Sequence, residues 1–284
     1  MERTTELNAP ARGLLRARSP RWNVWARLLN SLPPLAVLVV MLAGWKAAVV
    51  AFDVPPYLVP PPERVLDAFR EDWRYLLEQL QHTAKMALLG FGLATLVGIA
   101  VAVLFSQAKI IERSLYPYLV LLHTTPLIAI APLIVIWAGI GDRSVVIISF
   151  LISVFPIIVN GVIGLTSVDH NLVNLFRMSN ASRWQEFLFL RLPYSVPYLF
   201  TGLRISSSAA VLGAILGEYL VGAGGVGGGM GYTIIIAAGQ LKTARLFAAV
   251  LLCSLLALAF FFAVNTVANR LLRNWHESSA VHEN

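Results

Sequence analysis

An all-α, polytopic membrane fold is predicted by three observations. The 284-residue chain is 57% hydrophobic and only 13% charged, too apolar for an ordinary soluble domain. Its apolar residues gather in six runs, each near the roughly 20 residues that a bilayer core requires. Between the fourth and fifth runs lies a polar insert, residues 166–193, that no span can absorb. Burying its Asp169, His170, Arg177, Arg183, Glu186 and Arg191 in lipid would cost several kcal/mol.

The elements follow in order. Residues 1–31 form an arginine-rich N-terminal segment, in which Trp22 and Trp25 anchor a short interfacial helix. Glu2, Glu6 and the long polar lead argue against a cleaved signal or transit peptide. A membrane domain spans 32–269, with spans expected at 32–50, 82–105, 116–140, 144–165, 196–220 and 243–269, and a short tail at 270–284. After the first span, Pro55-Pro56 and Pro60-Pro61-Pro62 cannot continue a helix. Beyond them Val65, Leu66, Phe69, Trp73, Leu76, Leu77 and Leu80 recur at helical spacing, predicting an amphipathic helix over 63–80 at the outer surface. Pro117, Pro126, Pro132 and Pro156 interrupt the third and fourth spans, where freed carbonyls permit kinks.

Within the insert, Leu172, Leu175 and Phe176, then Phe187, Leu188 and Leu190, recur at helical spacing. Two short amphipathic helices joined near Ser179-Asn180 reconcile this pattern with the charges. Such an elbow suits docking onto a soluble partner. The fifth span carries Gly213-x-x-x-Gly217, a smooth face for close helix approach within the bundle or between two copies. The glycine-rich stretch 221–240 reads as a half-inserted external loop with a flexible start, because its apolar run is too short to cross. Its G-x-G-x-x-G match at Gly222, Gly224 and Gly227 has no βαβ unit around it.

Basic residues set the orientation. With both termini cytoplasmic, the inner segments hold the arginines from Arg3 to Arg27, Lys109, Arg113, Arg177, Arg183, Arg191, Arg270 and Arg273. The outer side holds only Arg64, Arg70, Arg74, Arg143, Lys242 and Arg245, so the elbow faces the cytoplasm. This scatter over short loops is not a nucleic-acid footprint, and the net charge of +7 needs no such partner.

Chemistry inside the chain is not expected. There is no phosphate-binding loop, no metal-ligand spacing among the scattered histidines and no nucleophile elbow, so no catalytic residue, cofactor or metal is assigned. His123, Thr124, Thr125, Asn160 and Glu218 are polar groups within spans and are candidates for the translocation path. Interhelical hydrogen bonding explains the first three equally well, and Glu218 lies close enough to the interface to snorkel.

The residues then resemble a family. The elbow followed by Arg191-Leu192-Pro193, Pro197 and Gly202-Leu203-Arg204 resembles the cytoplasmic signature of bacterial ABC-importer permeases. Leu58-Val59-Pro60-Pro61-Pro62-Glu63, Thr125-Pro126 through Pro132-Leu133, Trp137-Ala138-Gly139-Ile140-Gly141 and Phe155-Pro156-Ile157 with Asn160-Gly161 are similar to the nitrate, sulfonate, taurine and thiamine-precursor branch. The resemblance implies an inner-membrane subunit, itself no enzyme, that works as half of an importer. Its partners would be a second permease copy, a cytoplasmic ABC ATPase, an external solute-binding protein and membrane lipid. It places ATPase coupling on Leu172, Asn174, Leu175, Phe176, Arg177, Asn180, Ser182, Arg183, Trp184, Glu186, Arg191 and Pro193. Where the family has Glu-x-Ala and a turn glycine, this chain has Asn174-Leu175-Phe176 and Asn180; asparagine tolerates the left-handed conformation. A stand-alone secondary transporter or channel is the alternative, but its usual related halves and midplane charge pairs are not evident.

Overall fold

The computed structural model describes residues 24–107, 109–222 and 227–276; Trp22 and residues 277–284 lie outside them. The chain divides into two compact units, Met1–Asp53 and Val54–Asn284. In the first, the described residues form one helix, α1 (Val24–Ala51).

The second unit holds all the remaining helices: α2 (Pro62–Glu71), α3 (Trp73–Gln107), α4 (Lys109–Thr124), α5 (Leu127–Ala138), α6 (Asp142–Thr166), α7 (His170–Met178), α8 (Arg183–Glu186), α9 (Leu192–Gly222), α10 (Met230–Gly239) and α11 (Thr243–His276). Among the described residues every regular element is a helix, as the sequence predicts. Four helical stretches among the described residues are long and apolar enough to cross a membrane: Trp73–Gln107, Asp142–Thr166, Arg183–Gly222 and Thr243–Leu272. Ala36–Ala51, Leu127–Ala138 and Met230–Gly239 are shorter apolar helices.

The helices of the first, third and sixth expected spans run past their expected ends, to Val24, Lys109 and His276, and three further boundaries differ, each for a local reason. The helix expected over 63–80 divides at Asp72, and its second half becomes the first turns of α3, where Leu76 is fully buried. The expected third span, 116–140, is broken between α4 and α5 at Thr125-Pro126, where Pro126 has no N–H to continue the ladder. The helix carrying Arg183 does not end before the fifth span. It passes through a π-turn, Phe187–Arg191, directly into α9. The Leu192 N–H bonds to Phe187 O, five residues back, and this widened turn accommodates Pro193.

The core of the unit is α6 packed along α9, with α3 against both. Small residues bring the backbones together. A Cβ on Gly213 would lie 2.7 Å from Ser149 Cα, and one on Gly217 would lie 3.0 Å from Val145 Cα. The smooth face predicted on α9 therefore packs inside the bundle, against α6. Buried hydroxyls fasten the seam: Ser149 Oγ donates to Ala210 O at 2.8 Å, and Ser206 Oγ to Ser153 O at 2.6 Å. Apolar packing completes it, with Met86, Val145, Val211 and Ala214 in one buried cluster.

Candidate functional site

The polar insert forms a compact two-helix elbow. Asp169 caps α7, its carboxylate accepting from Asn171 N at 2.8 Å. Along α7, Val173 faces inward at 6% exposure, and Phe176 is half-buried. Leu172, Leu175 and Met178 are exposed. The helix stops at Asn180, whose φ is +54°. There Asn180 N bonds to Arg177 O and Ala181 N to Phe176 O, the paired closure of a Schellman motif. Ser182 then caps α8 in a capping box: Gln185 N donates to Ser182 Oγ at 3.2 Å, and Ser182 N to Gln185 Oε1 at 2.7 Å. Each cap is worth about 1 kcal/mol. With four residues in α8, these local terms decide whether the corner forms.

An ionic cluster fixes the elbow to the bundle. Glu186 is 9% exposed. Arg191 Nε donates to its Oε1 at 2.8 Å, Arg191 Nη2 joins the same oxygen, and Arg177 Nε of α7 stands 3.8 Å from Oε2. Arg191 Nη1 also reaches Leu165 O, near the end of α6, at 3.4 Å. That end carries the negative pole of the α6 dipole, which favours a cation. One arginine thus ties α8, the π-turn and α6 together. A cleft of ≈ 510 Å³ opens beside it, lined by Ser106, Gln107, Arg177, Arg183, Glu186 and Arg191 among others. Asn174 lines a neighbouring cleft of ≈ 460 Å³.

The outer surface of the elbow sets large apolar side chains among exposed polar ones such as Asn174, Arg177 and Arg183. Trp184 is 70% exposed, with its ring nearly perpendicular to that of Phe187, and Phe189 is also 70% exposed. Pro193 sits in the first turn of α9. The arrangement is a corner capped on both sides, with unburied apolar side chains among polar ones, continuous on one side with a long membrane-length helix.

The path candidates do not form one site. His123 stacks on Phe155 of α6 with ring centroids 3.9 Å apart and planes 6° from parallel. Thr124, the last residue of α4, and Thr125, just beyond it, both donate their hydroxyls to Leu121 O of α4, at 3.1 and 2.7 Å. Asn160 Nδ2 donates to Pro156 O at 2.8 Å. Glu218 does not snorkel: it is 2% exposed, bonded to α3 and to the start of α10. Its partner His82 was read in the sequence only as one of several scattered histidines. Their separation of 136 positions left no signal of the pairing.

The family of binding-protein-dependent transport system inner membrane components matches residues 94–275. A probable ABC transporter permease protein of Haemophilus influenzae is 32% identical over 86% of this chain and 98% of its own length. The riboflavin transport system permease RibX of Chloroflexus aurantiacus is 32% identical over 85% of this chain and 89% of its own. The formylaminopyrimidine transport permease ThiX of Halalkalibacterium halodurans is 32% identical over 87% and 97%. Among solved structures, inward-facing MetNI methionine ABC transporter has a chain similar in fold, with TM-score 0.60 and 18% identity over 70% of this chain and 97% of that one.

Proposed function

The chain belongs to the binding-protein-dependent transport system inner membrane components and is the permease of an ABC importer, and from that premise we propose how it works. The elbow of α7 and α8 is the coupling device. It docks into a groove on a separate cytoplasmic ATPase subunit and passes the closure of that subunit to α9. Two permease copies pair around one path, a solute-binding protein delivers to the outer face, and both termini stay in the cytoplasm. Six crossings result, with α1 as the first and the broken α4–α5 pair as the third.

The observation that carries this reading is the elbow's combination of outward apolar side chains with inward fastening. Leu172, Leu175, Met178, Trp184 and Phe189 offer contact area to a partner. Glu186 and Arg191 meanwhile lock the corner to the end of α6. A docking surface without the lock would move alone, because a lever transmits displacement only if it is stiff. Helix continuity from Arg183 to Gly222 gives the lever its arm, 40 residues or roughly 60 Å at 1.5 Å per residue.

The solute follows the relatives' names. We place it among small molecules of the kinds these names give, riboflavin or formylaminopyrimidine, or of the kinds named for further similar permeases, an aliphatic sulfonate, nitrate or taurine. Uptake by vesicles carrying the assembled complex, challenged with riboflavin, formylaminopyrimidine, taurine and nitrate, tests both parts. ATP-dependent accumulation of one of them is expected. Accumulation driven by an ion gradient without any ATPase would refute the importer reading.

A further inference from the structure

At the end of the bundle opposite the elbow, one carboxylate organises four helices. Glu218 of α9 accepts from Thr83 Oγ1 at 2.8 Å and from the backbone N–H of Gly231 at 3.0 Å, both on Oε2. His82 Nδ1 lies 3.3 Å from its other oxygen, and His82 Nε2 lies 3.1 Å from Asp142 Oδ1 in the first residue of α6.

The neighbouring N–H groups at the start of α10 are held in the same way. Met230 N donates to Thr83 Oγ1 at 2.8 Å, and Gly229 N to Gln79 Oε1 at 2.6 Å. These are the donors that a helix start leaves without intrahelical partners, and a negative group is favoured there by the helix dipole. Here side chains of α3 and α9 satisfy them, so α10 is fastened by its N-terminus.

The glycines are part of this fastening. Gly229 has φ +91°, and a Cβ on it would overlap the Glu218 carboxyl group. A Cβ on Gly231 would lie 2.7 Å from Tyr219 N in the backbone of α9. At 229 and 231 glycine therefore serves close approach to Glu218 and α9, and the flexible start expected from the sequence does not extend to these two positions.

We propose that Glu218 is the positioning residue of the half-length helix α10, with Thr83 and His82 as its partners. The carboxylate holds α10 to α3 and α9, so that α10 moves with them when the bundle switches. His82 extends the hold to α6 through Asp142. Without it, this 10-residue apolar helix, too short to span a bilayer, keeps the Met230–Thr83 and Gly229–Gln79 bonds and its packing on α9 and α11 but loses the carboxylate that fixes its first turn to α9. The transport consequence rests on the importer reading above; the placement of α10 does not.

Accessibility of α10 tests this directly. Met230 is fully buried, so Met230→Cys in a Cys253→Ser background reports opening by its rate of reaction with a membrane-impermeant maleimide in nanodiscs. Glu218→Ala should raise that rate about ten- to a hundred-fold. His82→Leu should raise it less, whereas His82→Gln, which keeps a donor toward Glu218, should restore protection. Thr83→Val supplies the test if Glu218→Ala does not insert. In the assembled complex, Glu218→Ala should abolish uptake while leaving ATP hydrolysis and the amount of assembled complex within about two-fold of the parent. Unchanged protection of Cys at 230 in the Glu218 and Thr83 variants overturns the proposal, as does unchanged uptake despite faster labelling. Uptake that needs no ATPase would sink the importer reading and leave the labelling comparison standing.

Discussion

Replacing Arg191 by Met removes the tie between the elbow and α6 while keeping much of the side chain's length. The variant loses two hydrogen bonds to Glu186 and the contact with Leu165 O, leaving Glu186 with Arg177 at 3.8 Å. Breaking a fully buried ion pair costs about 3–5 kcal/mol, and an exposed one about 0–1. Here the side chains are 25% and 11% exposed. An intermediate cost of about 2 kcal/mol follows, which raises the population of a detached elbow roughly 30-fold. Uptake per ATP hydrolysed by the reconstituted complex should therefore fall, with membrane insertion retained. The double variant Arg191→Met/Glu186→Gln should recover about half the loss, because the remaining group no longer carries an unpaired buried charge. Single and double variants whose losses simply add would refute the reasoning, as would an Arg191→Met protein with parental coupling.

Three further outcomes are expected. Gly213→Ala places a methyl 2.7 Å from Ser149 Cα, so α6 and α9 must separate by about 1 Å, at roughly 1–3 kcal/mol, and thermal unfolding in detergent should occur at lower temperature. Asn180→Gly should leave stability within a few tenths of a kcal/mol, whereas Asn180→Val, forced to φ +54°, should lose about 1–2 kcal/mol in the same assay. Leu175→Asp and Trp184→Asp alter residues that are 58% and 70% exposed, so the permease alone should unfold as the parent does while its co-purification with an ATPase subunit is lost.

Much of this architecture was legible because membrane physics restricts it. Runs of apolar residues have few alternatives to helices, and the charges in 166–193 had to leave the lipid. Asparagine at 180 marked a left-handed residue through its side chain alone, and φ there is positive. The less legible features involve either continuity or distance. Nothing in the spacing announced that α8 runs through a π-turn into α9, since Pro193 ordinarily suggests a helix start. The break at Thr125-Pro126 competed with an unbroken apolar run that fitted a span equally well. Glu218 looked peripheral because hydropathy measures nearness to a span's end, whereas its burial comes from Thr83 and Gly231 on other elements.

The proposed entry of force into this membrane bundle through the elbow is open to measurement. A single cysteine at Leu175 or Trp184 in a Cys253→Ser background, treated with a short bifunctional maleimide in a transporting preparation, tests it most directly. A covalent adduct with the ATPase subunit is expected, with arrest of uptake once it forms. Continued accumulation of solute with no adduct at either position would contradict it.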